Sequence, residues 1–205
     1  VSVMKAEAEC KGYIDFQKVI DGCISLKPGM KVYWINRSKA LLLAVIGRED
    51  PAKGCDMVGA HLDAPRLDFR PNPLYEDHDL AFAKTHYYGG IKKYQWVSVP
   101  LAIHGVISKT DGTMLNVCLG EKEDDTVYVI NDLLPHLAYD QIEKKASDVI
   151  TGENLNLMIG SIPYAPENPE DAKGVKANLL KLIYEKYGIT ERDFNFAELE
   201  VVPAL

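Results

Sequence analysis

From Val32 to Ile130 the apolar residues come in short runs, many alternating with polar ones and many closed by glycine, proline, asparagine or aspartate. A period of two is the period of strands, so this chain must build sheets and find something to cover them. Val32, Trp34 and Asn36 alternate with Tyr33 and Ile35, Asn36–Lys39 supplies turn chemistry, and Leu41–Ile46 follows, which predicts a hairpin. Its second strand is apolar on both faces, as in a strand buried inside a layered sheet. Met57–Leu62 predicts another short strand, running into Asp63-Ala64-Pro65. Residues 71–79, with two prolines and a charge cluster, predict a loop.

From Trp96 onward the texture changes to longer alternating strands: Val97–Ser108, a Thr110-Asp111-Gly112 turn, Met114–Leu119, then Thr126–Ile130 after the acidic loop Glu121–Asp125. Asn154–Ile159 and Phe196–Val202 predict two more. Helical periodicity is confined to 1–25, with Ile14, Phe16, Val19 and Ile20 apolar and Gly22 as its stop, and to 136–150 and 169–187. The last carries Asn168 as N-cap, Pro169 in the first turn and Gly188 as its stop. These shifts divide the chain into an α/β part at 1–96, an inserted β-rich unit at 97–192 and a return strand at 193–205.

Of the 205 residues 47% are hydrophobic and 26% charged, the balance of a chain that buries a core. A net charge of −7 supplies no basic footprint, so neither nucleic acid nor an anionic membrane is an expected partner. The longest apolar run, Ala40–Ile46, is far shorter than the ~20 residues a membrane helix needs. The N-terminal VSVMKAEAEC lacks the pattern of a secretory signal. Cys10, Cys23, Cys55 and Cys118 form no C-x-x-C pair and read as small buried hydrophobes of a reducing cytoplasm.

Five histidines, His61, His78, His86, His104 and His136, are the main candidates for chemistry. His61 and Asp63 form H-x-D at a strand end, which puts both side chains on one side. A neutral imidazole there can ligate zinc while the carboxylate fixes its tautomer. An ordinary hydrogen-bonded pair explains the spacing equally well. His78 sits between two aspartates and reads as solvent-exposed, His104 as a core or interface residue, and Glu121–Asp125 as a solvated loop.

The wider context narrows this. GAHLDAPRLD, RPNPLYE, KTHYYGGIKKYQW, PLAIHGV, INDLLPHLA, GSIPY, KYGITERDF and AELEVVPA follow in order. In these segments the chain resembles the aspartyl aminopeptidase and aminopeptidase I family of di-zinc exopeptidases, from about Lys27 to Leu205. The resemblance implies a mixed central sheet flanked by helices, an inserted dimerisation domain, and two zinc ions per complete site. The expected reaction is release of an N-terminal residue, Asp or Glu preferred, from peptide substrates. His61 matches a zinc ligand and Asp63 the carboxylate that supports it. His136 matches a histidine that reaches the active site of a partner subunit. His86, Lys92 and Lys93 are candidates for binding substrate, and Arg66 with Asp68 for a loop-shaping ion pair. A homo-oligomer with a dimer as its building block is implied, with a dodecamer left open.

The sequence also departs from the pattern. Of the five metal ligands expected in the family, it carries one, and it stops before the expected bridging aspartate. Isolated, it is expected to hold zinc weakly and to be inactive. The rival expectation is a truncated, non-catalytic assembly module.

Overall fold

A computed structural model describes residues 1–163 and 173–204. They form two compact units, Val1–Asp63 and Ala64–Leu205. In the second unit residues 66–88 share a sheet with 101–119 and 197–203.

In the first unit the helical pattern of 1–25 is interrupted. Helix α1 covers Ser2–Cys10, strand β1 Ile14–Asp15 and the single turn α2 Gln17–Ile20. The predicted hairpin is present as β2 (Lys31–Asn36) and β3 (Ala40–Val45), paired antiparallel, with β1 parallel to β2. Val32 and Tyr33 are buried, and the Tyr33 hydroxyl donates to Glu9 at 2.7 Å. β3 is not the enclosed strand its composition predicts. It is an edge, with Leu42, Leu43 and Val45 exposed. Met57–Leu62 is not a strand either. A strand exists only where a neighbour completes its backbone hydrogen bonds, and among the described residues this segment has none. Val58 is 99% exposed and Met57 83%.

The second unit is a six-stranded antiparallel sheet in the order β7-β6-β9-β4-β5-β8. Its strands are β4 (Arg66–Asp77), β5 (Leu80–Tyr88), β6 (Leu101–Ser108), β7 (Met114–Leu119), β8 (Leu157–Gly160) and β9 (Ala197–Pro203). Residues 71–77, predicted as loop, belong to β4. The register between β4 and β5 breaks between Phe69 and Leu74, and Pro71 and Pro73 sit in that irregularity, where no ladder donor is demanded. His78 and Asp79, both at positive φ, make the two-residue hairpin turn.

Thr126–Ile130 contributes isolated bridges rather than a strand. The predicted helix 136–150 shrinks to a 3-10 turn at Pro135–Leu137 and the single turn α3 (Tyr139–Ile142). Helix α4 runs Val175–Tyr187 and stops at Gly188, whose left-handed conformation (φ 63°) closes it. Asn168 and Pro169 lie outside the described residues. Leu67, Leu101, Ile103, Ile107, Leu199 and Val201 fill the core, with Leu179, Leu180 and Ile183 of α4 packed against it. Gly105 of β6, at φ 142°, lies so close to β9 that a Cβ built on it would stand 1.9 Å from the Glu198 carbonyl oxygen. No helix among the described residues is long and apolar enough to cross a membrane.

Candidate active-site residues

His61 and Asp63 close the first unit. Although no strand carries them, the chain bends so that the His61 ring meets Asp63: Nδ1 donates to the Asp63 carbonyl oxygen at 3.0 Å and lies 3.6 Å from its Oδ1. With Nδ1 protonated by that bond, the lone pair of Nε2 is left for a cation, and the side chain is 87% exposed. The hydrogen bond that fixes the ring therefore comes from the Asp63 backbone rather than its carboxylate.

The remaining candidates belong to the second unit. His136 sits in the Pro135–Leu137 turn, held from below by Asp132, whose carboxylate accepts from the Leu133 backbone and from Gln141 Nε2, both at 2.8 Å. Exposed apolar side chains surround it in sequence: Leu133, Leu134, Leu137, Tyr139 (73% exposed) and Ile142. His86 is exposed on β5, opposite Asp68 and stacked on Tyr87. Lys92 is exposed, and Lys93 places its ammonium 5.8 Å from the Tyr87 ring centre.

Arg66 and Asp68 form the expected pair at 2.9 Å, but Glu200 of β9 joins them at 3.0 Å and the guanidinium lies over the Tyr88 ring. Glu200 escaped the sequence reading because its partner is far away in the chain. His104 also gains a partner, Glu121, at 2.6 Å, so one end of the acidic loop is tied down. Asp125 accepts from the backbone of Gly120 and Lys122, which holds its carboxyl below the usual range. His78 is exposed, as expected, beside Asp77. All four cysteines are exposed, against the expectation of burial: Cys118 lies on the outer face of β7, and Cys55 in an open loop.

Among the described residues no three His, Cys, Asp or Glu side chains gather in a way that could hold a metal ion. His61 can supply one ligand of a zinc site, and the residues present do not complete it.

An exposed imidazole with a fixed tautomer is compatible with many functions, and comparison with known proteins specifies the class. The family model described as "Aminopeptidase I zinc metalloprotease (M18)" matches residues 2–205. The chain belongs to the M18 aminopeptidase family. It is 55% identical over 197 residues to the "Probable M18 family aminopeptidase 1" of Clostridium acetobutylicum, covering 96% of this chain and 42% of that protein. To the protein of the same description from Thermotoga maritima it is 47% identical, covering 98% of this chain and 45% of that one. The crystal structure of aminopeptidase I from Clostridium acetobutylicum matches all of the chain and 44% of its own, with a TM-score of 0.84. The chain thus spans less than half the length of these relatives. Membership favours the peptidase reading over that of a non-catalytic module.

Proposed function

We propose that the complete protein carrying this chain is a zinc aminopeptidase that removes one residue at a time from peptide N-termini, with Asp and Glu preferred. The observation that carries the reading is the family match across residues 2–205, whose description includes zinc. Two zinc ions, when bound, supply an activated water and polarise the scissile carbonyl. His61 offers Nε2 as one ligand, and Asp63 orients the ring through its backbone carbonyl. The other ligands come from residues outside this chain. His136 donates a hydrogen bond to the oxyanion in the site of a partner copy, a role supported by its exposure and by the exposed leucines beside it. Lys92 and Lys93 offer positive charge to an acidic substrate side chain, and the exposed His86 offers a ring nitrogen. Residues 97–192 serve as the inserted dimerisation domain of a homo-oligomer, and the protein works in the cytoplasm.

Turnover of Asp-, Glu-, Leu- and Lys-anilides by the complete protein tests this. Faster turnover of the two acidic substrates is expected. A Leu preference overturns the specificity, and no turnover of any anilide overturns the aminopeptidase reading.

A further inference from the structure

The first rung of the β4–β5 ladder pairs Arg66 with Tyr88, the last residue of β5. At this rung the chain arriving from His61 and Asp63 enters the sheet, and the chain leading to Lys92 and Lys93 leaves it. One step beyond, Pro65 backs on Gly89. A Cβ built on Gly89 would lie 3.4 Å from Pro65 Cγ, and its φ of 74° already favours glycine.

The rung is charged in a way that strand pairing does not require. β4 and β9 set Asp68 directly opposite Glu200, and like charges so placed cost stability unless a cation stands with them. Arg66 is that cation. Its Nε donates to Asp68 Oδ1 at 2.9 Å and lies 3.0 Å from Glu200 Oε1, and its guanidinium carbon stands 4.4 Å from the centre of the Tyr88 ring. The Arg66 side chain is only 18% exposed, and the two carboxylates 32% and 34%.

Three partly desolvated charges hold a sheet no better than neutral side chains of similar volume, because desolvation offsets much of their attraction. What they supply is direction. A planar guanidinium gripped by two carboxylates and laid on a ring has one place to be, and the ring is held with it. Gly89 and Gly90, which follow Tyr88, have no side chains to fix the exit, so its direction is set at this rung.

We propose that Arg66, held by Asp68 and Glu200, is a positioning residue: it sets the direction in which the segment 89–93 leaves the sheet, and so where the side chains of that segment meet the substrate. This rests on the peptidase reading and on the part given there to Lys92 and Lys93. It adds that β9, through Glu200, controls substrate binding from a point more than a hundred residues along the chain.

The test uses the complete protein and anilide substrates. Arg66→Met, Asp68→Asn and Glu200→Gln, made together, remove the charges while keeping the volumes, so the triple variant should melt within a few degrees of wild type. Its KM should nevertheless rise roughly tenfold with kcat within about twofold, the sign of lost substrate binding. A merely structural role leaves KM unchanged when the melting temperature is unchanged. Gly89→Ala touches no charge but strains the exit, and should raise KM in the same direction; it carries the test alone if the triple variant does not fold. Unchanged KM in either folded variant overturns the proposal, while turnover by the wild-type protein keeps the peptidase reading standing. No turnover of any anilide by the wild-type protein overturns that reading, and the proposal with it.

Discussion

The regions on either side of Ala64 use similar apolar patterning, yet only the second closes a core of its own size. After Ala64, Leu67, Leu101, Ile103 and Val201 are buried between strands and α4. Before it, the pairing is sound, but Leu42, Leu43, Val45, Met57 and Val58 stand exposed. Apolar periodicity therefore reports the side of a strand that is suited to burial, and only the rest of the fold decides whether burial happens. The second region should carry its own stability, whereas the first should be sensitive to what else is present.

The largest expected effect that tests this contrast is at Gly105. Gly105→Ala drives a Cβ into the Glu198 carbonyl, so β6 and β9 must part, and a loss above about 4 kcal/mol in urea unfolding is expected. Next, Leu67→Ala should cost about 3 kcal/mol, while Leu42→Ala, at a position 58% exposed, should stay within about 0.5 kcal/mol. Equal losses would break the comparison. Repeating Leu42→Ala in the complete protein sharpens it, since a rise toward about 3 kcal/mol would mean that residues outside this chain cover β3.

Two smaller effects have a pH signature. In the second unit, the Thr190 backbone and hydroxyl both donate to Asp193 Oδ2 at 2.8 Å, which holds that buried carboxyl below the usual range. Its contribution is complete above the unfolded carboxylate range near ~3.9 and is lost as pH falls through the lower folded value. Asp193→Ala should cost about 1 kcal/mol at neutral pH and flatten the acid limb of the stability profile. In the first unit, the bond to Glu9, with burial second, pushes Tyr33 up to about 12. A raised value means stability that is full below ~10 and lost as pH rises through the folded value. Tyr33→Phe should therefore cost up to about 1 kcal/mol at neutral pH and less in strong alkali, as read from melting curves across pH.

Local signals were legible in the sequence. The hairpin turn at Asn36–Lys39, the Thr110-Asp111-Gly112 turn, the span of β7 and the Gly188 stop all depend on neighbours within a few residues. What failed depended on distant partners. β4 continues past two prolines because a break in register excuses them from the ladder, and 136–150 stays irregular although its pattern is helical. Met57–Leu62 has a strand's composition, but among the described residues no neighbour pairs with it. At the candidate site His61 and Asp63 meet through a bend rather than a strand end, and the backbone carbonyl rather than the carboxylate makes the short bond. Glu200 and Glu121 were invisible as partners of Arg66 and His104 because strand order, not spacing, joins them.

The central claim is that this chain contributes His61 to the zinc site of an M18 aminopeptidase. Zinc content of the purified complete protein and of its His61→Ala variant, measured after identical dialysis, tests it most directly. The account predicts two ions per chain in the former and a clear loss of zinc, together with loss of anilide turnover, in a variant whose melting curve shows it folded. Unchanged zinc in folded His61→Ala protein would contradict the assignment.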